Sequence, residues 1–211
     1  MSDEPESLPP ESFPPEIARL RAEIARLQAE LATAAEEARA LRSLAHEDAL
    51  TRLLNRRGFE QDLARALAYA RRYRTPAAVL LIDLDRFKPI NDRHGHQAGD
   101  AALRHVADLL RSHLRASDLV ARLGGDEFAV LLWQVDAVVA RQKADSLEDV
   151  LSLSPCAWKG VSLPVSGSIG AAPITPADDP AAVLARADEA MYRRKAERRG
   201  RARPELRAVR R

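Results

Sequence analysis

Five residues between two apolar runs combine groups that could do chemistry: Gly124-Gly125-Asp126-Glu127-Phe128. Two adjacent glycines between β-like runs predict a tight hairpin turn. A turn without side chains lets a large anionic ligand approach the backbone closely. Because side chains alternate along a strand, Asp126 and Glu127 point in opposite directions. This segment alone is equally compatible with a metal-bound phosphate site and with a plain hairpin whose acids are solvated.

A second acid favours the metal site. Residues 77–83 form an apolar run that ends in Asp83 and predicts a fully buried strand. Two carboxylates ~4 Å apart repel by ~4 kcal/mol at an effective dielectric constant near 20. A divalent cation removes that cost, and an all-oxygen site suits Mg²⁺ or Mn²⁺. The alternative is that Asp83 only caps a following helix. We favour the metal because Asp126 offers a partner from a second buried strand.

Several segments, taken in order, resemble the GGDEF-domain diguanylate cyclase family. The signature stands at residues 124–128, and the second block runs from Asp83 to Asp92 and continues through Gly95-His96 and Gly99-Asp100. The remaining blocks are residues 48–57 with Phe59, 168–170 and 187–195. Together they cover roughly residues 46–200. Several blocks in the right order are far more specific than one block alone.

The resemblance implies both a fold and an activity. The expected class is α/β (α+β), a ferredoxin-like palm with a central antiparallel sheet flanked by helices and preceded by a long coiled-coil helix. The expected reaction joins two GTP molecules into cyclic di-GMP and releases two pyrophosphates, with two domains facing each other in a dimer. Two other readings remain open: an inert domain that only binds cyclic di-GMP, and a coiled-coil interaction protein whose domain reports nucleotide state.

The family's catalytic and metal roles carry over by position. Mg²⁺ would be held by Asp83, Asp126 and the backbone carbonyl of Leu84. Glu127 would support the same metal. Asp126 is also the candidate general base for the 3′-hydroxyl, with metal activation of that hydroxyl as the alternative. Lys88 would neutralise charge on the transferring phosphate; otherwise it is a surface lysine.

The guanine-binding roles also follow from the resemblance. Asn91 and Asp100 match the family's guanine readers, and His96 matches a position near the substrate. A carboxylate accepts from the N1–H and N2–H₂ donors of guanine, which adenine lacks. Asp100 would therefore discriminate against ATP.

The triphosphate end departs from the family pattern. The backbone of Gly124 and Gly125 would lie along the α-phosphate, and Lys195 would bind the outer phosphates. Arg198 stands where the family has glycine, and Arg199 stands at the position of its arginine. A Gly-Arg pair comes two residues later, so Arg201 is an alternative to Arg199.

Arg115 and Asp118 stand at the spacing of the family's inhibitory product-binding site. Arginine can bind guanine at O6 and N7, and Asp118 can accept from the guanine amino edge. The plain alternative is an ion pair at a helix end. The family's site needs a second arginine from the partner domain, and Arg71, Arg72 and Arg74 are candidates.

Residues 16–46 predict a parallel, dimeric coiled coil. Apolar residues recur at alternating steps of three and four, beginning with Ile17, Leu20, Ile24 and Leu27. Isoleucine at the first a positions and leucine at the first d positions favours two parallel strands. The alternative is a lone amphipathic helix packed on the globular domain, but four heptads without a helix breaker favour the homodimer.

Composition completes the predicted organisation. Residues 1–15 are acidic and rich in proline, which predicts disorder. Residues 47–200 are the expected catalytic domain, and 201–211 are a basic tail without the aromatic residues that a specific nucleic-acid site would use. No membrane-spanning run or signal sequence is present, and the single cysteine suits a reducing compartment, so the expected location is the cytoplasm.

The sequence pattern predicts these elements and connections. They are helices at 57–73, 98–115, 136–151 and 180–198, strands at 77–83, 118–122, 127–133 and 161–172, and a loop at 152–160.

Overall fold

The structure, a computed structural model, describes the backbone of residues 15–208 and the side chains of that range except 15, 38–44 and 199–208. Its elements, in chain order, are α1 (Pro15–His46), α2 (Arg56–Tyr73), β1 (Ala77–Leu84), α3 (Phe87–His94), α4 (His96–Ser112), β2 (Leu119–Gly124), β3 (Glu127–Trp133), α5 (Ala137–Leu153), β4 (Cys156–Trp158), β5 (Val161–Leu163), β6 (Gly167–Pro173) and α6 (Pro180–Ala208). The chain divides into two compact units, before and after the junction of Ser43 and Leu44.

The first unit is most of α1. Its apolar stripe is exposed to solvent, from 39% at Ile17 to 71% at Leu31. Arg26 forms ion pairs with Glu23 and Glu30 along the helix surface. The helix expected over this segment is present, and its pairing with a second copy stays a prediction. The disorder predicted for residues 1–15 lies outside the described residues except for Pro15, which begins α1, and the predicted basic tail likewise has no described side chains.

The second unit is built on a four-stranded antiparallel sheet in the order β2-β3-β1-β6. The central strand β1 is buried on both faces, and successive residues alternate between two cores. Ala78, Leu80 and Ile82 join the core beneath α4 and α5, whereas Val79 and Leu81 join the core beneath α2 and α6. The predicted mixed α/β fold, an antiparallel sheet flanked by helices, is therefore confirmed.

The segment between α1 and α2 pairs with the outer edge of β2. The amide of Leu54 donates to the carbonyl of Val120 at 3.2 Å, and the amide of Arg122 donates to the carbonyl of Leu54 at 2.8 Å. Arg52 adopts a left-handed conformation with a φ of 58°. Glycine adopts this conformation more readily than a residue with a Cβ atom does. The α2 helix then begins after Asn55, whose side chain accepts from the Gly58 amide.

Two sequence predictions about local structure were wrong. The predicted strand at 161–172 is two strands, because Pro164 follows β5 and has no amide to continue a ladder. The predicted loop at 152–160 contains the end of α5 and all of β4, which pairs with β5 through a turn at Lys159 and Gly160.

Helix α3 was not predicted as a separate element. It has eight residues and contains Pro89, which is tolerated because it lies in the first turn. The following helix was predicted at 98–115 but begins earlier, at His96, and ends at Ser112. Within residues 15–208, no helix is both long and apolar enough to cross a membrane.

The sheet and α6 meet at a glycine. A Cβ atom on Gly170 would lie 2.1 Å from the Ala187 carbonyl oxygen and 2.2 Å from the Met191 amide nitrogen. Backbone atoms of a packed helix cannot move aside as a flexible side chain can. The absence of a side chain at residue 170 therefore allows α6 to approach β6 closely.

Replacing Gly170 with alanine should lower the free energy of unfolding by ~3 kcal/mol or more, since α6 must move away from the sheet. Gly167→Ala on the same strand is the matched control, because its added Cβ meets only the Leu151 side chain, at 3.2 Å, and more distant atoms. We expect that control to cost ~1 kcal/mol or less. Urea unfolding of both variants measures the difference, and equal losses would contradict this account of the contact.

Candidate active site at the end of the central strand

The site is built where β1 ends beside the β2–β3 turn. Asp83 pairs in register with Glu127, and the Leu84 amide donates to the Asp126 carbonyl at 3.2 Å. Sheet pairing therefore brings the predicted acids Asp83 and Asp126 to neighbouring positions, although they are 43 residues apart in sequence. From α6, the ammonium of Lys195 donates to Asp83 Oδ1 at 2.5 Å.

The charges at this point suit a divalent cation. Burial raises the pKa of the Asp126 carboxyl, and the negative charge of Asp83 adds to the rise. A cation bound beside Asp126 would favour the ionised form of its carboxyl. Among the side chains that the structure describes, no three acidic, histidine or cysteine groups are placed to hold a metal ion together. A metal would therefore also need oxygen donors such as the Leu84 carbonyl and a phosphate.

The predicted hairpin turn presents bare backbone. Gly124 and Gly125 have φ angles of 144° and 50°, and a Cβ on either would meet nothing within 4 Å. Open space beside both glycines leaves room for a ligand against the main chain. The predicted phosphate contact is geometrically accessible there.

Arginines hold this turn from outside the signature. Arg122 donates to the Gly125 carbonyl at 2.7 and 3.0 Å, and it donates to both oxygens of Asp48 at 3.2 Å. Burial acts to raise the pKa of Asp48, but bonds from Thr51 and Arg122 outweigh it and hold that pKa below its ordinary value. Arg122 therefore ties the signature turn to the segment that precedes α2.

Glu127 is engaged on the α2 side. Its carboxylate lies 3.3 Å from Arg56, which also donates to the Leu123 carbonyl at 3.2 Å. Both side chains of the Glu127–Arg56 pair are about half exposed, at 49% and 53%. Glu127 therefore forms an ion pair with Arg56 in this structure. The role of Glu127 as a metal ligand stays a prediction.

The predicted guanine readers lie on facing helices. Asn91 on α3 is half-buried against the backbone of Gly99 on α4, where an added Cβ would lie 1.9 Å from Asn91 Oδ1. Asp100 follows directly and is also half-buried, which leaves both groups accessible at the junction of α3 and α4. Lys88 and His96 are exposed on the same two helices. Their assigned roles stay predictions.

Arg198, which stands where the family has glycine, makes contacts within the domain that the sequence did not reveal. Its guanidinium donates to the Gly167 carbonyl and lies 3.3 Å from Asp85, whose other oxygen accepts from the Ser168 hydroxyl at 3.0 Å. The predicted phosphate ligand Arg199, and its alternative Arg201, have side chains outside the described residues.

A buried acid on α5 holds the same helix. Glu148 is 7% exposed and accepts the Ile169 amide at 2.9 Å. Arg194 donates to both of its oxygens at 3.3 Å, and Arg198 lies 3.9 Å from it. The hydrogen bond that Arg194 donates to Glu148 raises the pKa of the Arg194 guanidinium. Arg194 and Arg198 flank Lys195, so Glu148 helps to orient the segment that carries this lysine.

The predicted inhibitory pair lies at the turn between α4 and β2. Arg115 is exposed, and its backbone amide donates to Asp118 at 3.0 Å. Among the candidate second arginines, Arg71 donates to the carbonyls of Pro176 and Asp178. Arg72 instead lies over the ring of Tyr73. Arg71 therefore has partners within its own domain.

The sheet order and the paired acids define a palm-type domain with a charged site at one end of its central strand. A family model described as diguanylate cyclase, GGDEF domain, matches residues 45–201. The chain belongs to this GGDEF family, as the sequence blocks predicted.

Named relatives agree with this membership. The diguanylate cyclase TpbB of Pseudomonas aeruginosa is 48% identical over 172 residues, which are 78% of this chain and 38% of that protein. The probable diguanylate cyclase DgcE of Escherichia coli is 42% identical over 173 residues, 79% of this chain and 15% of that protein. The chain spans less than half the length of these relatives.

A solved structure extends the likeness beyond the globular domain. The coiled coil and GGDEF domain of DgcB from Caulobacter crescentus, in complex with c-di-GMP, aligns with a TM-score of 0.75 and 31% identity. The alignment covers 86% of this chain and 95% of that one.

Sequence reasoning missed the groups that support the site. Asp48 belongs to the opening block but received no role, and neither did Arg122, two residues before the glycine pair. Glu148 carries no motif at all. The available signal was that Glu148 lies on the apolar face of a predicted helix. A buried acid is normally paired with a cation, so this position indicated a buried ion pair.

Replacing Glu148 with glutamine should lower the free energy of unfolding by ~2 kcal/mol, because it removes a buried charge that pairs with Arg194. Asp145→Asn is the matched control. It also removes a carboxylate charge that pairs with Arg194, but the Asp145 side chain is 48% exposed. We expect the control to cost less than ~0.5 kcal/mol. Urea unfolding at pH 7 compares the two, and a control as damaging as Glu148→Gln would refute the special position of Glu148.

Proposed function

We propose that this chain is a diguanylate cyclase that condenses two GTP molecules into cyclic di-GMP and releases two pyrophosphates. The observation that carries the proposal is the meeting of Asp83 and Asp126 beside a bare glycine turn, with Lys195 at the same point. Family membership and two named cyclase relatives support it. The inert binding module is less well supported, because it gives no reason to keep this acid pair together.

The nucleotide is held at both ends by side chains of this chain. Asp100 accepts from the N1–H and N2–H₂ edge of guanine, and Asn91 bonds the neighbouring edge. Lys88 and Lys195 place positive charge near the phosphates, where negative charge is concentrated during transfer. His96 lies close to the base, and Arg199 binds the outer phosphates.

The bond change takes place at the α-phosphate, along the Gly124–Gly125 backbone. Mg²⁺ would be held by Asp83, Asp126 and the Leu84 carbonyl, since oxygen donors suit this ion. Glu127 would support the same metal. Such an ion supplies Lewis-acid activation of the attacking 3′-hydroxyl and neutralises phosphate charge. Asp126 is the candidate acceptor of the hydroxyl proton, and activation of the hydroxyl by the metal is the alternative.

The reaction requires two copies of the domain. Each copy holds one GTP, and the 3′-hydroxyl of one attacks the α-phosphate of the other, so a single domain supplies half a site. A parallel coiled coil formed by α1 keeps the second half nearby at high effective concentration. The exposed stripe on α1 supports this homodimer, because apolar side chains in a regular heptad are stabilised by burial against a second helix. We further propose that cyclic di-GMP inhibits the enzyme by binding at Arg115 and Asp118.

Incubating the purified protein with GTP and Mg²⁺ should yield cyclic di-GMP and pyrophosphate, which chromatography and a phosphate assay detect. Asp126→Asn should reduce turnover by ~100-fold or more, because it removes a charge needed for both the metal and the proton. Asp92→Asn is the matched control, since it changes an exposed acid of α3 that has no assigned role. Product binding by a wild-type protein that makes no cyclic di-GMP would instead favour the inert module.

Replacing Leu27 with glutamate places a charge in the predicted seam and should convert the dimer to a monomer. Specific activity should then fall at low protein concentration and recover as concentration rises, because the two half-sites are no longer tethered. Light scattering and activity measured across a concentration series test this. Ala29→Glu, on the outer face of the heptad, is the control and should leave both unchanged. A Leu27→Glu protein that stays dimeric would refute the coiled-coil assignment.

A further inference from the structure

Two ion pairs join α6 to the end of β1. Lys195 donates to Asp83 Oδ1 at 2.5 Å, and Arg198, on the next turn of the helix, lies 3.3 Å from Asp85. The Asp85 amide donates to the Ser166 carbonyl at 2.8 Å, which continues the pairing of β1 with β6. Residues three apart share one face of a helix, and alternate residues of an extended chain point to the same side. The two pairs are therefore successive contacts between one helix face and one strand end.

Apolar packing holds α6 only as far as Met191. This is the last buried residue among the described side chains of the helix, and the side chains of residues 192–198 are half-buried or exposed. A cavity of about 660 Å³ lies beside them, and its lining includes Lys195, Arg198 and Pro164. The position of Lys195 therefore depends more on ion pairs and hydrogen bonds than on buried apolar surface.

Arg198 makes the more extensive of the two sets of contacts. Its guanidinium donates to the Gly167 carbonyl at the start of β6, and it also lies 3.9 Å from Glu148, which is buried on α5. Its partner Asp85 is itself held, because the other carboxylate oxygen accepts from the Ser168 hydroxyl at 3.0 Å. Arg198 therefore connects α6 to α5, to the end of β1 and to the start of β6.

The two cations differ in what nucleotide binding asks of them. Under the proposed function, Asp83 binds Mg²⁺ and Lys195 binds the outer phosphates, so the ion pair between them must separate. Asp85 and the Gly167 carbonyl have no assigned ligand, so the contacts of Arg198 can remain. Arginine suits such an anchor because its planar guanidinium bonds to several oxygens at once and always stays charged.

We propose that Arg198 is a positioning residue for GTP, which holds α6 against the sheet while Lys195 exchanges Asp83 for the outer phosphates of the nucleotide. The inference rests on the proposed function, whose substrate it concerns. The glycine that the family has at this position carries no side chain that could make these contacts, so the role belongs to this chain and not to the family pattern. Loss of Arg198 should weaken GTP binding more than it slows the bond change.

Binding of 3′-deoxy-GTP to the full-length protein, measured by calorimetry with Mg²⁺, tests this role, because the analogue lacks the attacking hydroxyl and cannot be turned over. Arg198→Met should raise the Kd by about tenfold, since it removes the charged donors and keeps an unbranched side chain. Arg198→Lys should give an intermediate Kd, because it keeps the charge and loses the planar fork. Arg193→Met is the matched control: Arg193 is exposed on the same helix, and its loss should leave the Kd within about twofold.

A double-mutant cycle separates a role through Lys195 from direct contact with the nucleotide. If Arg198 acts by positioning Lys195, Arg198→Met should change the Kd by less than about twofold in a Lys195→Met background. An undiminished effect in that background would mean that Arg198 binds the phosphates itself, which would overturn the positioning role. With GTP as substrate, Arg198→Met alone should raise KM by about tenfold and change kcat by less than about threefold.

Two further outcomes would count against the inference. A wild-type Kd in Arg198→Met, together with a lower free energy of unfolding in urea, would show a purely structural role and overturn the inference alone, provided that the wild-type protein makes cyclic di-GMP. A wild-type protein that neither binds 3′-deoxy-GTP nor makes cyclic di-GMP would overturn the proposed function and this inference with it.

Discussion

Repulsion between two carboxylates at the end of the central strand is the constraint around which the molecule is organised. Asp83 and Asp126 are brought together by the pairing of β1 with β3, and both of these strands contribute side chains to the two apolar cores. The fold therefore stabilises an arrangement that the acids alone would oppose. Lys195 supplies a cation at that point, and a divalent ion would oppose the repulsion more strongly.

The supports around the acids form two groups. Arg122, Asp48 and Arg56 hold the glycine turn against the segment before α2. On the other side, Glu148, Arg194 and Arg198 fix α6 against α5 and β6. Both groups use arginine, whose planar guanidinium can bond to several carbonyl and carboxylate oxygens at once. The glycines can remain bare because residues outside the turn determine its position.

The sequence predicted those features that depend on local pattern. The apolar run ending in Asp83 indicated a buried strand, and the glycine pair indicated a hairpin, so their meeting could be inferred. Helix α3 escaped prediction because eight residues containing a proline give no helical periodicity. The strand break at Pro164 was missed because the surrounding residues share a β-like composition.

Long-range ion pairs were beyond the reach of such patterns. Arg122 meets Asp48 across 74 positions, and Arg194 meets Glu148 across 46. Nothing in the local spacing of those residues indicates a partner. Arg198 illustrates this limit most clearly. The sequence showed that arginine replaces the family's glycine there, but the contacts of Arg198 with Gly167 and Asp85 depend on how α6 crosses the sheet.

The pairing of Leu54 with β2 has a consequence for how two copies can meet. A strand at the edge of a sheet normally offers free amides and carbonyls to any neighbouring chain. Here the outer side of β2 already bonds to residues of its own polypeptide, at Val120 and Arg122. Continuation of the sheet from one molecule into the next is therefore disfavoured at this border. Recognition between molecules on that flank must rely on side chains, which a few surface substitutions can alter without disturbing the scaffold.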